Sequence, residues 1–132
     1  MVQVLADADN LAARWMTVTM RIVGGYGCAV TAAGAAGRLA AVRWPAQCRL
    51  VAAEGWQRAD LALAGAYRSD EAPLLLVTGD GDFAYLASRH PGPVAVAGVL
   101  VARALRDTAT VIDLARDGAA PLVRWLNHVS PR

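Results

Sequence analysis

The chain has 132 residues, enough for one domain whose hydrophobic core needs no disulfide or structural metal. Its 13 basic residues are all arginine and its net charge is only +2, which neither requires nor excludes a nucleic-acid partner. Mean hydropathy is +0.34, yet the longest uncharged stretch, residues 22–37, is too short and too glycine-rich to span a membrane. Because no basic leader precedes the first apolar run, we expect a cytoplasmic protein with no membrane partner.

Short apolar runs alternate with helical patterns along the chain, and glycines at 24, 25 and 27 are expected to end the first helix. In chain order the pattern predicts strand 2–7, helix 10–22, strand 28–32, helix 35–42, strand 48–53, helix 60–68, strand 73–78, helix 83–89 and strand 94–99. Segments 103–105, 111–114 and 121–127 are not assigned with the same clarity. The alternation predicts a single α/β domain over residues 1–132, a three-layer sandwich with a parallel sheet and helices on both faces.

The fourth predicted strand ends in an unusual way, because its apolar run stops at two aspartates that alternate with glycines. Asp80 and Asp82 stand where open α/β sheets bind ligands, at the carboxyl end of a buried strand. Two carboxylates this close repel each other unless a proton or a cation intervenes. The segment predicts a metal site, although Asp-Gly is also ordinary turn chemistry.

The first predicted strand ends in the same way, at Asp7. If the first and fourth strands are neighbours, Asp7 and Asp80 meet in one crevice. Asp9 and Asn10 follow in the turn, where either side chain is more typical of a helix cap or a supporting residue than of a direct ligand.

A third acid, Asp60, falls within a predicted helix. At helical spacing it shares a face with Leu63, Ala64 and Tyr67, and a carboxylate on an apolar face is costly unless something compensates it. A divalent cation would do so, and oxygen ligands favour Mg²⁺ or Mn²⁺ over zinc. The alternative is that Asp60 caps a helix beginning at Leu61.

Three ordered segments together resemble the motifs of the NYN family of PIN-like nucleases. They are residues 4–11 (VLADADNL), 59–64 (ADLALA) and 77–83 (VTGDGDF), with a weaker echo in residues 105–114. The resemblance implies a PIN-like parallel sheet ordered 3-2-1-4-5 and a ribonuclease dependent on Mg²⁺ or Mn²⁺. It also implies catalytic, metal-binding roles for Asp7, Asp60, Asp80 and Asp82, with support from Asp9, Asn10 and Thr78.

The chain departs from the family pattern at three positions. Many members have an acid six residues after the one matching Asp60, where this chain has Ala66. The acid expected in the weaker echo is replaced by Thr110, and Gln57 occupies a position that is often basic. These departures support an alternative from another class, a catalytically impaired module that binds RNA or protein.

Hydrolysis at such a site requires no side-chain nucleophile, which agrees with the lack of a recognisable serine triad. RNA is the expected partner, and a homodimer or an inhibitory protein partner is left open. A Toprim-like phosphoryl-transfer fold is a further alternative, but it expects a catalytic glutamate after an early strand, and neither Glu54 nor Glu71 is a convincing match for that position. Candidates for contacting the RNA backbone are Arg14, Arg38, Arg58, Arg89 and Arg103.

Two other features receive structural interpretations. Cys28 and Cys48 lack zinc-site spacing and are expected to be buried free thiols. The apolar segment 121–129 is expected to close the core, with a dimer contact as the alternative.

Overall fold

A computed structural model describes residues 1–56 and 58–130. Gln57, at the often basic family position, lies outside the described residues, as do Pro131 and Arg132. Within the described part, strands and helices alternate along the chain as the apolar pattern predicts.

All strand pairings in the described sheet are parallel, and the order is β3-β2-β1-β4-β5-β6. This confirms the predicted α/β class and parallel sheet, and adds a sixth strand beside the expected order 3-2-1-4-5. The central strands β1 and β4 are fully buried, as their continuous apolar runs require. The strands are β1 (Gln3–Asp7), β2 (Ala29–Gly34), β3 (Arg49–Ala52), β4 (Leu74–Val77), β5 (Val94–Gly98) and β6 (Thr110–Asp113).

Helices follow the strands, as right-handed crossovers between parallel strands require. A single 3-10 turn, Gly81–Phe83, precedes α4. The described helices are α1 (Ala13–Gly25), α2 (Ala36–Ala40), α3 (Arg58–Ala66), α4 (Ala84–Arg89), α5 (Arg103–Arg106), α6 (Leu114–Asp117) and α7 (Ala120–Val129).

The sheet has a hydrophobic core on each face, which confirms the three-layer arrangement. On one face, side chains of α1 and α7 such as Met16 and Leu126 pack with Val4 and Leu75 of the central strands. On the other face, α3, α4 and α5 pack against alternate residues of the same strands, including Leu5. Alternation along β1 and β4 therefore supplies both cores.

The C-terminal segment belongs to the first of these cores. Leu122 and Leu126 of α7 are completely buried, and Trp125 packs against the same core. The expectation that this segment closes the core is confirmed for these side chains.

Several predicted helix boundaries are wrong: α1 begins at Ala13 and not at residue 10, α2 ends at Ala40, and α3 ends at Ala66. The first helix continues through Gly24 and Gly25, and the chain turns only at Gly27, whose φ of 67° suits glycine. Helix α3 begins at Arg58, two residues before the predicted start, because buried Ala59 already belongs to its core-facing side. Among the described residues no helix is long and apolar enough to cross a membrane.

Candidate metal centre

The sheet topology brings the first and fourth strands side by side. Strand order reverses between β1 and β4, which makes their carboxyl ends the topological switch point of the sheet. Ala6 pairs with Val77, so Asp7 ends its strand level with the start of the Thr78–Asp80 loop. The predicted convergence of Asp7 and Asp80 therefore follows from strand pairing.

Close backbone contacts hold the loop that carries Asp80. The Gly79 N–H donates to Asn10 Oδ1 at 2.6 Å, and the Gly79 carbonyl accepts from Ala102 N–H at 2.9 Å. A Cβ at position 79 would lie 2.8 Å from the Leu100 carbonyl oxygen, so only glycine fits without movement. Asn10 thus positions the loop on which Asp80 stands.

Asp60 approaches the switch point from α3. It is the third residue of this helix, so the interpretation as a cap for a helix beginning at Leu61 is wrong. Because α3 follows the edge strand β3 and packs against β1 and β2, its first turn lies near the carboxyl edge of the sheet.

Asp7, Asp60 and Asp80 form a compact group, here called the acidic cluster. Each offers a carboxylate oxygen, and these oxygens lie within 4.8 Å of one another. Asp7 is only 3% exposed, while Asp60 and Asp80 are partly exposed. One cation can therefore contact all three carboxylates from the solvent side.

One oxygen of the cluster lacks a partner. Asp60 Oδ2 is buried, and no hydrogen-bond donor among residues 1–56 and 58–130 reaches it. Asp7 and Asp80 bring only acceptor oxygens to it unless a carboxyl carries a proton. A buried acceptor without a donor is costly, and a cation or a proton would remove that cost.

The acid–base properties of the cluster reflect the same crowding. Burial, followed by the adjacent Asp80 and Asp7 carboxyls, raises the pKa of Asp60 to about 7. Burial also raises the pKa of Asp7, against the lowering effect of a 3.1 Å hydrogen bond from Asp9 N–H. Crowding and burial thus favour the protonated carboxyl, and a bound cation would favour the carboxylate instead.

The remaining predicted site residues have different positions. Asp82 is exposed on the wall of the cleft and lies outside the group formed by Asp7, Asp60 and Asp80, while its N–H caps the 3-10 turn by donating to Asp80 Oδ1 at 2.9 Å. Buried Thr78 accepts from Asp80 N–H through Oγ1 at 3.1 Å. Asp9 accepts from Ala35 N–H at 2.9 Å and so fixes the start of α2. Thr78 and Asp9 therefore support the loops around the cluster.

The acidic cluster lies in a cleft of about 380 Å³, here called the acidic cleft. Its walls carry Asp9, Asn10 and Asp82, and also Trp56, which is 88% exposed. Sequence reasoning missed Trp56, because one aromatic residue in a loop has no periodic signal.

All five arginines proposed for RNA contact are exposed. Arg14, Arg38, Arg58 and Arg103 stand within the first three residues of helices that begin after strand ends. Parallel strands end at one edge of the sheet, so these four belong to the edge that carries the acidic cluster. Arg89 instead ends α4, where its guanidinium lies 4.8 Å from the centre of the Tyr85 ring.

The positions of Ala66 and Thr110 bear on the missing family acids. Ala66 ends α3, and the six residues from Asp60 correspond to about 9 Å of helix rise away from the cluster. Thr110 begins β6, at the opposite edge of the sheet, while Asp113 ends that strand and caps α6 through Arg116 N–H. Neither replacement removes a carboxylate from beside Asp7 and Asp80.

Cys28, Cys48 and His90 lie outside the acidic cluster. Cys28 and Cys48 are free thiols as predicted, but they are partly rather than fully buried, and desolvation raises the pKa of each to about 11. His90 is buried, with Nε2 2.6 Å from the Ala72 carbonyl and Nδ1 2.7 Å from the Tyr67 hydroxyl. Its Nε2–H therefore donates to Ala72, and Nδ1 accepts from Tyr67.

Comparisons with known proteins give information on the fold and none on the chemistry. No family model matches the chain, and no curated protein matches it. The chain is similar to the crystal structure of a protein of unknown function, VPA0982, from Vibrio parahaemolyticus RIMD 2210633, with a TM-score of 0.53 and 20% identity. The similarity covers 85% of this chain and 92% of that chain. At this identity the likeness shows a common fold alone.

Proposed function

We propose that the protein is a ribonuclease of the NYN type, a PIN-like enzyme that hydrolyses RNA phosphodiester bonds with Mg²⁺ or Mn²⁺. The observation that carries the proposal is the acidic cluster, in which buried Asp60 Oδ2 finds no hydrogen-bond partner among residues 1–56 and 58–130. Carboxylate oxygens alone make up the donor set, which suits a hard divalent cation. The three motifs of the resemblance supply the nuclease class and the RNA substrate.

Different residues of the site would have different roles in hydrolysis. Asp7, Asp60 and Asp80 would hold the cation, while Asn10 and Thr78 keep the Asp80 loop in place. When bound, the cation supplies Lewis acidity that neutralises charge on the scissile phosphate and lowers the pKa of water. Exposed Asp82, on the cleft wall, is placed to accept a proton or to orient water beside the phosphate.

Arginines at the same edge of the sheet complete the proposed RNA-binding surface. Their guanidinium groups offer forked donors to phosphate oxygens on either side of the acidic cleft. Arg58 is the best placed of them, because it begins the helix that carries Asp60. The two free thiols fit a reducing compartment, and we place the enzyme in the cytoplasm.

A second candidate is a module of the same fold that binds RNA without cleaving it. The observation in its favour is that Asp82 lies outside the group of three converging carboxylates, so the centre has fewer converging acids than the family motifs imply. This candidate predicts RNA binding that is independent of Mn²⁺.

Cleavage of labelled RNA separates the two candidates. Single-stranded and structured RNAs are incubated with protein and Mg²⁺, Mn²⁺ or chelator, using the wild type, Asp7→Asn and Asp80→Asn. Asp107→Asn is the matched control, because Asp107 is exposed at the end of α5. The nuclease proposal expects metal-dependent cleavage by the wild type and the control only. Absence of cleavage with both metals, or cleavage that survives both cluster substitutions, contradicts it.

A further inference from the structure

A second cleft opens beside the acidic one. It has a volume of about 480 Å³ and is here called the apolar cleft, because most of its lining side chains are apolar or aromatic. Asp60 and Asp82 line both clefts, so the two are continuous at the cluster. A molecule bound in the apolar cleft would therefore touch the edge of the proposed metal centre.

One wall of the apolar cleft is a face of α3. Asp60, Ala64 and Tyr67 follow one another at helical spacing on this wall. The apolar stripe predicted for this helix is divided, because Leu63 is completely buried in the core whereas exposed Ala64 lines the cleft. Helix α3 therefore presents an acid at one end of the cleft, and Tyr67, the residue that follows the helix, presents an aromatic ring further along it.

The opposite wall belongs to α4 and contains an exposed aromatic ring. Tyr85 is 70% exposed, and the Arg89 guanidinium lies over its ring at 4.8 Å. Across the cleft, Leu61 is 68% exposed. Two large exposed apolar side chains at the rim of one cleft are a pattern typical of a binding site.

The hydroxyl of Tyr67, which lines the apolar cleft, is already paired. The Tyr67 hydroxyl donates to His90, which in turn donates to the Ala72 carbonyl. Tyr67 therefore offers the cleft its ring and not a competing hydroxyl. Such a surface recognises the flat face of a ligand more than the pattern of its polar edges.

We propose that the apolar cleft binds the base of an unpaired nucleotide whose phosphate lies at the acidic cluster. This inference rests on the proposed nuclease function and adds a preference for single-stranded RNA, since paired bases keep their faces stacked inside the helix. The charges fit this occupant: the acids at one end take a cation-bound phosphate, and Arg89 at the other end attracts a neighbouring phosphate. A stack on Tyr85 or Tyr67 uses no base-specific hydrogen bond, so any base is accepted.

Calorimetric titration in Mn²⁺ with adenosine 5′-monophosphate and with ribose 5-phosphate isolates the contribution of the base. The key variant is Ala64→Phe, which fills the cleft from an exposed position. Its matched control is Gly65→Phe on the same helix, because Gly65 is exposed and a Cβ there meets no atom within 4 Å. Tyr85→Ala is a second variant that removes an exposed ring without disturbing the core.

The inference expects the wild type to bind adenosine 5′-monophosphate roughly tenfold more tightly than ribose 5-phosphate, or more. Ala64→Phe should remove this preference and leave ribose 5-phosphate binding unchanged, Tyr85→Ala should reduce it, and Gly65→Phe should keep it. Equal binding of both ligands by the wild type, binding of neither, or a preference that survives both cleft variants overturns the inference.

The RNA cleavage assay on the same protein distinguishes this failure from failure of the proposed function. Metal-dependent cleavage without a base preference rejects the base-binding cleft and leaves the nuclease intact. A base preference that Ala64→Phe abolishes, in a protein that cleaves no RNA, supports the cleft and rejects the nuclease.

Discussion

At the amino-terminal edge of the sheet, buried polar side chains find partners within the chain, whereas at the carboxyl-terminal edge three carboxyls crowd together and one buried oxygen has no donor among the described residues. Gln3 exchanges two hydrogen bonds with the Arg68 backbone, at 2.8 and 3.0 Å, and His90 bridges Tyr67 and Ala72. At the other edge, Asp60 Oδ2 is buried with no donor from the described residues. The polar groups of the first edge are paired within the chain, whereas the buried Asp60 oxygen at the second edge would gain a partner from a cation or a proton.

This contrast distinguishes polar groups that stabilise the fold from polar groups that serve function. Substitutions at the amino-terminal edge should change stability and leave ligand binding alone. Substitutions in the acidic cluster should weaken cation binding without lowering stability, because they remove ligand oxygens while relieving repulsion.

The largest expected effect is on catalysis by Asp80→Asn. We expect cleavage of single-stranded RNA in Mn²⁺ to fall by at least about 100-fold, since even supporting residues of metal sites contribute that much. Thermal unfolding without metal should show a variant no less stable than the wild type. A fall in activity matched by a fall in melting temperature would indicate damage to the fold instead.

Asn10→Ala should weaken metal binding without removing a carboxylate. The Asn10 side chain holds Gly79 N–H at 2.6 Å, and its loss frees the loop that carries Asp80. We expect Mn²⁺ affinity to fall by roughly 10- to 100-fold in calorimetric titration. Asn127→Ala, on α7 at the far side of the sheet from α3, is the control. Unchanged affinity in Asn10→Ala would mean that the loop does not depend on this bond.

Gln3→Ala tests the amino-terminal edge. It leaves the Arg68 backbone groups without their side-chain partners, and we expect the free energy of unfolding in urea to fall by about 1–3 kcal/mol. Mn²⁺ affinity and cleavage by the folded protein should not change. A change in metal affinity would contradict the expectation that the amino-terminal edge affects stability and not metal binding.

A pH dependence of stability is expected in the protein without metal. The Asp60 pKa rises from 3.8 to about 7 on folding, so the folded protein keeps a proton that the unfolded chain has lost. The free energy of unfolding should therefore fall as pH rises from about 4 to about 7, and Asp60→Asn should remove this contribution. Saturating Mn²⁺ should oppose the loss at pH 7.5, by about 2.7 kcal/mol at 100 times its dissociation constant. A wild type and an Asp60→Asn variant with identical pH profiles would contradict this assignment.

The sequence predicted the central part of the fold because continuous apolar runs and parallel pairing are local, repetitive signals. The placement of Asp7 and Asp80 at one sheet edge follows from the same signals. The predicted range of helix α3 lay two residues too far along the chain. The start of a helix depends on which side chains pack in the core, and here buried Ala59 belongs to the helix. Asp60 still reaches the cluster because the shift keeps it in the first turn.

Features that depend on distant contacts were not predictable. Strand β6 is a short edge strand with only Ile112 fully buried, so its residues carry no clear alternation. The bond between Tyr67 and His90 joins residues 23 positions apart, and nothing near His90 in the sequence indicates it. The apolar cleft was missed because exposed Tyr85 is indistinguishable in sequence from a core residue of a helix.

The most direct test of the central claim is Mn²⁺ binding to the purified protein, followed by calorimetry and by the electron paramagnetic resonance signal of free Mn²⁺. The account predicts stoichiometric binding by the wild type and by Asp107→Asn, and a loss of binding in Asp7→Asn, Asp60→Asn and Asp80→Asn. A wild type that binds no Mn²⁺, or cluster variants that bind it as tightly as the wild type does, would contradict the account.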